Sequence, residues 1–194
     1  MEILTNMIKR NYKSIIIGIL FIITFVAFDQ VTKYLAVTKL KDNDPFVILD
    51  GVFEFLYVEN RGAAWGAFAG KLGMFIALTF IIIPLIIWTI CRINQMIEFF
   101  GKKVNIKALR FLQINLVLLI AGAIGNLIDR MINGFVVDFI YFKLIDFPVF
   151  NIADCYITVA TALFLIISLF FFKNNELDYL TCSKKKWKIE DECK

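Results

Sequence analysis

The sequence contains no histidine. A Ser-His-Asp triad, a Cys-His pair and a zinc site built on imidazole are therefore excluded. The four cysteines show no CxxC spacing, so neither a disulfide framework nor a metal knuckle is indicated. They are Cys91, Cys155, Cys182 and Cys193. Any chemistry must therefore use carboxylates, amides, hydroxyls, lysine and arginine, and we predict no metal and no cofactor.

Charge is also scarce. Charged residues make up 20% of the chain and hydrophobic residues 60%, with a mean hydropathy of +0.76. This composition is too apolar for an ordinary soluble domain and indicates a membrane protein. The net charge is only +4 and the basic residues are scattered between apolar runs, so no nucleic-acid partner is expected. We predict a single membrane domain over residues 1–173.

Long uncharged runs locate the membrane spans. Crossing a bilayer core takes about 20 helical residues. The run from Ser14 to Phe28 is too short unless its helix continues through "DQVTKYLA", which brings Asp29 and Lys33 into its outer part. A basic N-terminus precedes this run without a small-residue cleavage site, which favours an uncleaved signal anchor. The predicted spans are residues 14–36, 71–92, 109–129 and 153–173.

The distribution of lysine and arginine predicts the orientation. The N-terminal segment, the loop after the second span and the polar tail over residues 174–194 carry most of the basic residues. These three parts should lie in the cytoplasm, with both termini inside. The tail is expected to be solvated or to lie on the membrane surface. The outer loop, at about residues 40–66, contains "FVILDGVFEFLYVEN", a hairpin signal that predicts a small extracytoplasmic β-sheet against the membrane. The predicted fold class is thus an all-α integral membrane protein, a four-transmembrane-helix bundle with that small sheet.

Two acids in apolar surroundings are the sharpest candidates for chemistry. The third span runs outward and the fourth runs back, so Asp138 and Asp154 should meet at the outer face, with Asp29 nearby. Two carboxylates that share a site cannot both ionise cheaply, so one holds a proton while the other accepts one. Such a pair can activate water and protonate a leaving amine. The alternative is two independently solvated loop acids.

Other polar residues at this face allow both structural and functional interpretations. Asp29 and Lys33 share a helix face and form either a packing ion pair or a pair that orients a substrate. Asn126 and Arg130 also share a face; Arg130 either reaches lipid headgroups or neutralises an anionic group. Asp129 is interpreted as solvating the helix end.

The stretch "ENRGAAWGAF" carries Asn60 ahead of small residues. The spacing of Gly62 and Gly66 is typical of close backbone packing. Alternatively, Asn60 could hydrogen-bond an extended peptide. The stretch alone does not decide between these two interpretations.

Five blocks in order, "DQVTK", "ENRGAAWG", "GAIGNLIDR", "GFVVDF" and "FNIAD", resemble the lipoprotein signal peptidase (signal peptidase II) family of aspartyl membrane proteases. The resemblance extends from about Asp29 to Thr161. It implies that Asp138 and Asp154 are the catalytic aspartates. It also implies substrate-binding or site-supporting roles for further residues. These are Asp29, Lys33, Asn60, Gly62, Asn126, Arg130 and Asn151.

The same resemblance implies a function and a location. The family removes the signal peptide from a diacylglyceryl-modified prolipoprotein, cutting just before the lipidated cysteine, and is inhibited by the cyclic peptide globomycin. Membrane lipids and a prolipoprotein are the implied partners. The implied location is the bacterial cytoplasmic (inner) membrane, with the active site at the extracytoplasmic face. One departure is Trp65, where the family commonly has phenylalanine.

A non-enzymatic membrane protein, such as a small transporter or a lipid-binding bundle, is the competing interpretation. A transporter would favour polar residues that continue across the bilayer. The second span is almost entirely apolar and the acids cluster at one face, which favours the enzyme. Gln113 and Asn115 near the inner end of the third span keep the alternative open.

Overall fold

A computed structural model describes residues 2–62, 70–172, 178–181 and 187, with only the backbone described over residues 2–13. Trp65, Gly66 and most of the tail lie outside the described residues. The helices are α1 (Glu2–Leu40), α2 (Leu72–Phe100), α3 (Ile106–Asn133), α4 (Ile152–Phe170) and the short α5 (Asp178–Thr181). The strands are β1 (Phe46–Leu49), β2 (Phe53–Asn60) and β3 (Val136–Tyr141).

Four of these helices are long and apolar enough to cross a membrane. In α3, half of the residues in the most apolar stretch are buried, whereas the buried share of the corresponding stretch is 6% in α1 and 6% in α2. The helix α3 is therefore the central helix of the bundle. The others pack around it and turn large apolar side chains outward. Outward-facing apolar side chains are what a bilayer solvates. The predicted fold class, a four-helix membrane bundle with a small sheet, is confirmed.

The helix ends differ from the predicted limits of the spans. The first helix passes through Asp29 and Lys33 without a break and ends at Leu40. The second continues well beyond residue 92, because its last turns bury apolar residues such as Met96 and Phe100 against the neighbouring elements. The fourth ends at Phe170.

A three-stranded antiparallel sheet, in the order β1-β2-β3, lies at one end of the bundle, here called the sheet end. Asp50 and Gly51 form the turn between β1 and β2, as the hairpin signal predicts, and Gly51 has a φ of 69°. The third strand comes from the later segment "VVDFIY", which the sequence analysis did not assign to the sheet. Its register places Asp138 opposite Val58 on β2.

At the opposite end, here called the tail end, part of the tail packs into the bundle. The ring of Trp187 is 1% exposed and lies 5.6 Å from the ring of Phe100. Arg92 lies over that indole at 4.3 Å and donates to the carbonyls of Tyr179 and Leu180. For these residues the expectation of a solvated tail is wrong, because aromatic and apolar side chains gain more from burial than from water.

Candidate active site

Asp138 and Asp154 reach the site from two different elements. Asp138 lies in the middle of β3, and Asp154 lies in the first turn of α4. Asn151 caps that helix: its side chain accepts from the Asp154 amide at 3.0 Å, and the Asp154 carboxylate accepts from the Asn151 amide at 3.2 Å. This reciprocal capping box fixes the direction of the Asp154 side chain.

Side-chain amides join the two carboxylates. Asn151 Nδ2 donates to Asp138 Oδ1 at 2.6 Å, and Asn126 Nδ2 donates to Asp154 Oδ1 at 2.7 Å. Asn151 Nδ2 also contacts Asn126 Oδ1 at 3.1 Å, while Asn60 Nδ2 donates to Asp138 Oδ2 at 2.8 Å. The structure therefore brings both aspartates and three predicted asparagines into one hydrogen-bonded cluster. Independently solvated loop acids do not fit this geometry.

The environment of Asp138 favours its protonated form. Its side chain is 1% exposed. Burial, followed by the nearby charge of Asp154, raises the pKa of Asp138 to about 7, against the opposing effect of the Asn60 and Asn151 hydrogen bonds. Near neutral pH, this carboxyl group can therefore either hold or release a proton.

A buried charged layer supports the cluster. Lys33 Nζ lies 2.9 Å from Asp29 Oδ2 and 3.1 Å from Asp129 Oδ2. The other oxygen of Asp29 accepts from the Ala153 amide at 2.8 Å, and Asp129 Oδ2 accepts from the Val137 amide at 3.0 Å. The interpretation of Asp129 as a solvated helix end is wrong, because its side chain is buried and paired. Through these hydrogen bonds and ion pairs, the charged layer connects the start of β3 and the first turn of α4 to the first helix.

The charged layer also orients one of the asparagines. Asn126 Oδ1 accepts from Lys33 Nζ at 3.0 Å as well as from Asn151, so its amide nitrogen must point toward Asp154. Gln30, which is not among the predicted site residues, donates to Asp129 Oδ1 at 3.1 Å and to the Gly125 carbonyl at 3.2 Å. Its position between Asp29 and Lys33, in the block "DQVTK", is the sequence feature that could have indicated a role at the site.

The two remaining predicted residues lie at the edge of the cluster. The Gly62 amide donates to Asn60 Oδ1 at 2.9 Å, which fixes the amide of Asn60 toward Asp138. Arg130 is half-buried and lies 4.9 Å above the ring of Phe75. Over the described ranges, no group of three or more Cys, Asp or Glu side chains is arranged to hold a metal ion. The arrangement can hold one proton between two carboxylates beside a set of amide donors.

Comparisons with known proteins identify the family of this chain. Residues 21–171 match the family model for signal peptidase (SPase) II. Lipoprotein signal peptidases of Staphylococcus aureus, strains JH9 and Newman, are each 38% identical over 159 residues, covering 80% of this chain and 90% of theirs.

Two solved bacterial membrane enzymes, determined by the in meso method at 2.3 Å and 1.9 Å resolution, are also similar. Both are 38% identical, with TM-scores of 0.61 and 0.60. The first match covers 78% of this chain and 87% of the solved one, and the second covers 79% and 92%. The chain therefore belongs to the signal peptidase II family of lipoprotein signal peptidases.

Proposed function

We propose that this membrane peptidase is an aspartic endopeptidase with Asp138 and Asp154 as its catalytic pair. It removes the signal peptide from diacylglyceryl-modified prolipoproteins and cuts just before the lipidated cysteine. The observation that carries the proposal is Asn151, which bonds to both carboxylates and holds them in one cluster. Family membership supports the substrate class.

The proposed mechanism uses one proton shared by the pair. The ionised carboxylate takes a proton from a water molecule as the water oxygen attacks the scissile carbonyl carbon. The protonated carboxyl group hydrogen-bonds the carbonyl oxygen, and a proton passes to the leaving amine when the tetrahedral intermediate collapses. A pKa of about 7 for Asp138 supports a singly protonated pair near neutral pH. Such a pair titrates as a unit, so either aspartate can begin as the base.

The other predicted residues take two kinds of role in this proposal. Asn60 within the cluster, and Gly62 and Arg130 at its edge, contact the substrate backbone or stabilise developing charge. A second set holds the aspartates in place through the contacts described above. It consists of Asp29, Lys33, Asn126 and Asn151.

The location follows from the substrate. A diacylated peptide stays in the bilayer, so in this proposal the sheet end, which carries the aspartates, lies at the membrane surface. The distribution of lysine and arginine supports an extracytoplasmic position for this end, in the bacterial cytoplasmic membrane with both termini inside. A globomycin-type cyclic peptide would compete for the same site, and membrane lipids would surround the four spans.

The test is cleavage of a diacylglyceryl-prolipoprotein, followed by gel shift, with Asp138→Asn and Asp154→Asn. Each variant should lose about 10²–10⁴-fold in rate, because each removes a proton-transfer group. Asp44→Asn, at an exposed position outside the site, is the matched control and should cut normally. Folded aspartate variants that cut at the control rate would refute the mechanism. Equal cleavage of an unlipidated precursor would refute the lipid specificity.

A further inference from the structure

Arg130 is held in an unusual way for a cation beside acids. It lies one turn before the end of α3, at the sheet end. Its guanidinium lies 4.9 Å from the centre of the Phe75 ring on α2. The hydrogen bond that it donates goes to the carbonyl of Asn126, within its own helix, at a long 3.4 Å. The Phe75 ring is therefore a cation–π contact that joins this side chain to another helix.

Three nearby carboxylates attract this guanidinium. Asp154, Asp138 and Asp129 all attract its charge, and Lys33 from α1 is the other cation that acts on the two catalytic aspartates. Guanidinium and carboxylate groups normally close into short, often bidentate, pairs. Here Arg130 forms no ion pair within 4.0 Å with the aspartates that the structure describes, and Asn60, Asn126 and Asn151 occupy the carboxylate oxygens instead.

We propose that Phe75 is a positioning residue that keeps Arg130 beside the aspartate pair without letting it pair with either acid. The face of an aromatic ring attracts a guanidinium, most strongly where water is excluded. The contact crosses from α2 to α3, so it holds the side chain from outside its own helix. Most of the five N–H donors of Arg130 remain available for a substrate carbonyl or for developing negative charge.

The consequence for the reaction depends on the shared proton, and so rests on the proposed function. A guanidinium paired directly with a carboxylate favours its ionised form. Loss of the ring would let Arg130 move onto the pair and make it release its proton at lower pH. The alkaline limb of the activity profile would then move to lower pH, and the arginine would no longer face the substrate.

The experiment compares Phe75→Leu, Phe75→Tyr and the matched control Phe80→Leu, a lipid-exposed phenylalanine on the same helix. Cleavage of a diacylglyceryl-prolipoprotein is measured from pH 5 to 9, with kcat, KM and melting temperature for each protein. Phe75→Leu should lower kcat about tenfold and move the alkaline limb down by about one pH unit, the size of shift an adjacent opposite charge produces. Phe75→Tyr, which keeps the ring, should restore both.

Each other outcome has a defined meaning. The inference is overturned if Phe75→Leu and Phe80→Leu give the same kcat and the same pH profile. It is also overturned if Phe75→Leu loses activity only in step with its melting temperature, with the limb unmoved, because the ring would then be merely structural. Silent aspartate variants together with an unaffected Phe75→Leu would refute this inference alone. Active aspartate variants would refute the proposed function itself.

Discussion

The helices α3 and α4 approach each other closely at Gly122 on α3. A Cβ atom at this position would lie 2.6 Å from the carbonyl oxygen of Ala153 and 2.8 Å from Cγ1 of Ile157. The first of these neighbours is backbone, so it cannot rotate away. We therefore expect Gly122→Ala to push the first turn of α4 away from α3.

The size of the effect follows from these distances. A carbon–oxygen contact needs about 3.3 Å, so the helices must separate by about 0.7 Å. The same displacement would stretch the 2.7 Å bond between Asn126 and Asp154 to about 3.4 Å, near the limit of a hydrogen bond. Overpacking of this kind costs about 1–3 kcal/mol in unfolding free energy. The gain in helix propensity from glycine to alanine, at most about 1 kcal/mol, offsets part of it.

Gly73→Ala provides the matched control, because a Cβ atom at Gly73 in α2 meets nothing within 4 Å. Melting temperature and cleavage rate should be measured for both variants in the same detergent. Gly122→Ala should melt lower than Gly73→Ala by about 2–4 °C for each kcal/mol, and should also cleave more slowly. Equal melting temperatures and rates for the two variants would refute the packing argument.

Three further predictions concern charge and burial. Lys33→Met removes the cation between Asp29 and Asp129 and should cost about 3–5 kcal/mol, measured by thermal unfolding against the exposed Lys41→Met, which should cost little. The pKa of Asp138 is raised to about 7, so its contribution to stability is complete below the unfolded value of about 3.9 and is lost as the pH rises to 7. The side chain of Asp138→Asn is neutral at every pH. The melting temperature of this variant minus that of the wild type should therefore increase from pH 5 to pH 8, and a difference that stays constant with pH would contradict the prediction. Trp187→Ala should lower the free energy of unfolding by about 3–5 kcal/mol, because the indole is buried. The protein that remains folded should cleave at a near-normal rate, because the indole lies at the tail end. A loss of cleavage without a loss of stability would contradict this prediction.

The parts of the fold that could be predicted from the sequence depend on long, local signals. An apolar run of about 20 residues has few alternatives to a membrane helix, so the number and approximate positions of the four spans could be predicted. The alternating direction of the spans then brings Asp138 and Asp154 to the same end, although they lie 16 positions apart in the sequence. The roles assigned to the site residues stay predictions until the variants are measured.

The parts that could not be predicted depend on contacts between distant residues. Asp129 precedes an arginine at a helix end, a pattern typical of solvated residues. Its burial and its bonds to Lys33 and Val137 appear only in the structure. The third strand is a short apolar run interrupted by Asp138, and short runs of this kind do not distinguish strand from loop. Its partner strand lies far earlier in the chain.

The bond between Asp29 and the Ala153 amide joins residues 124 positions apart. It links the first membrane helix to the last, and the residue after Ala153 is one of the two proposed catalytic acids. A chain that is still being synthesised carries Asp138 well before it carries the partner acid, the cap at Asn151 and this closing bond. The proposed active site is therefore incomplete until the start of α4 has been synthesised and has folded against Asp29.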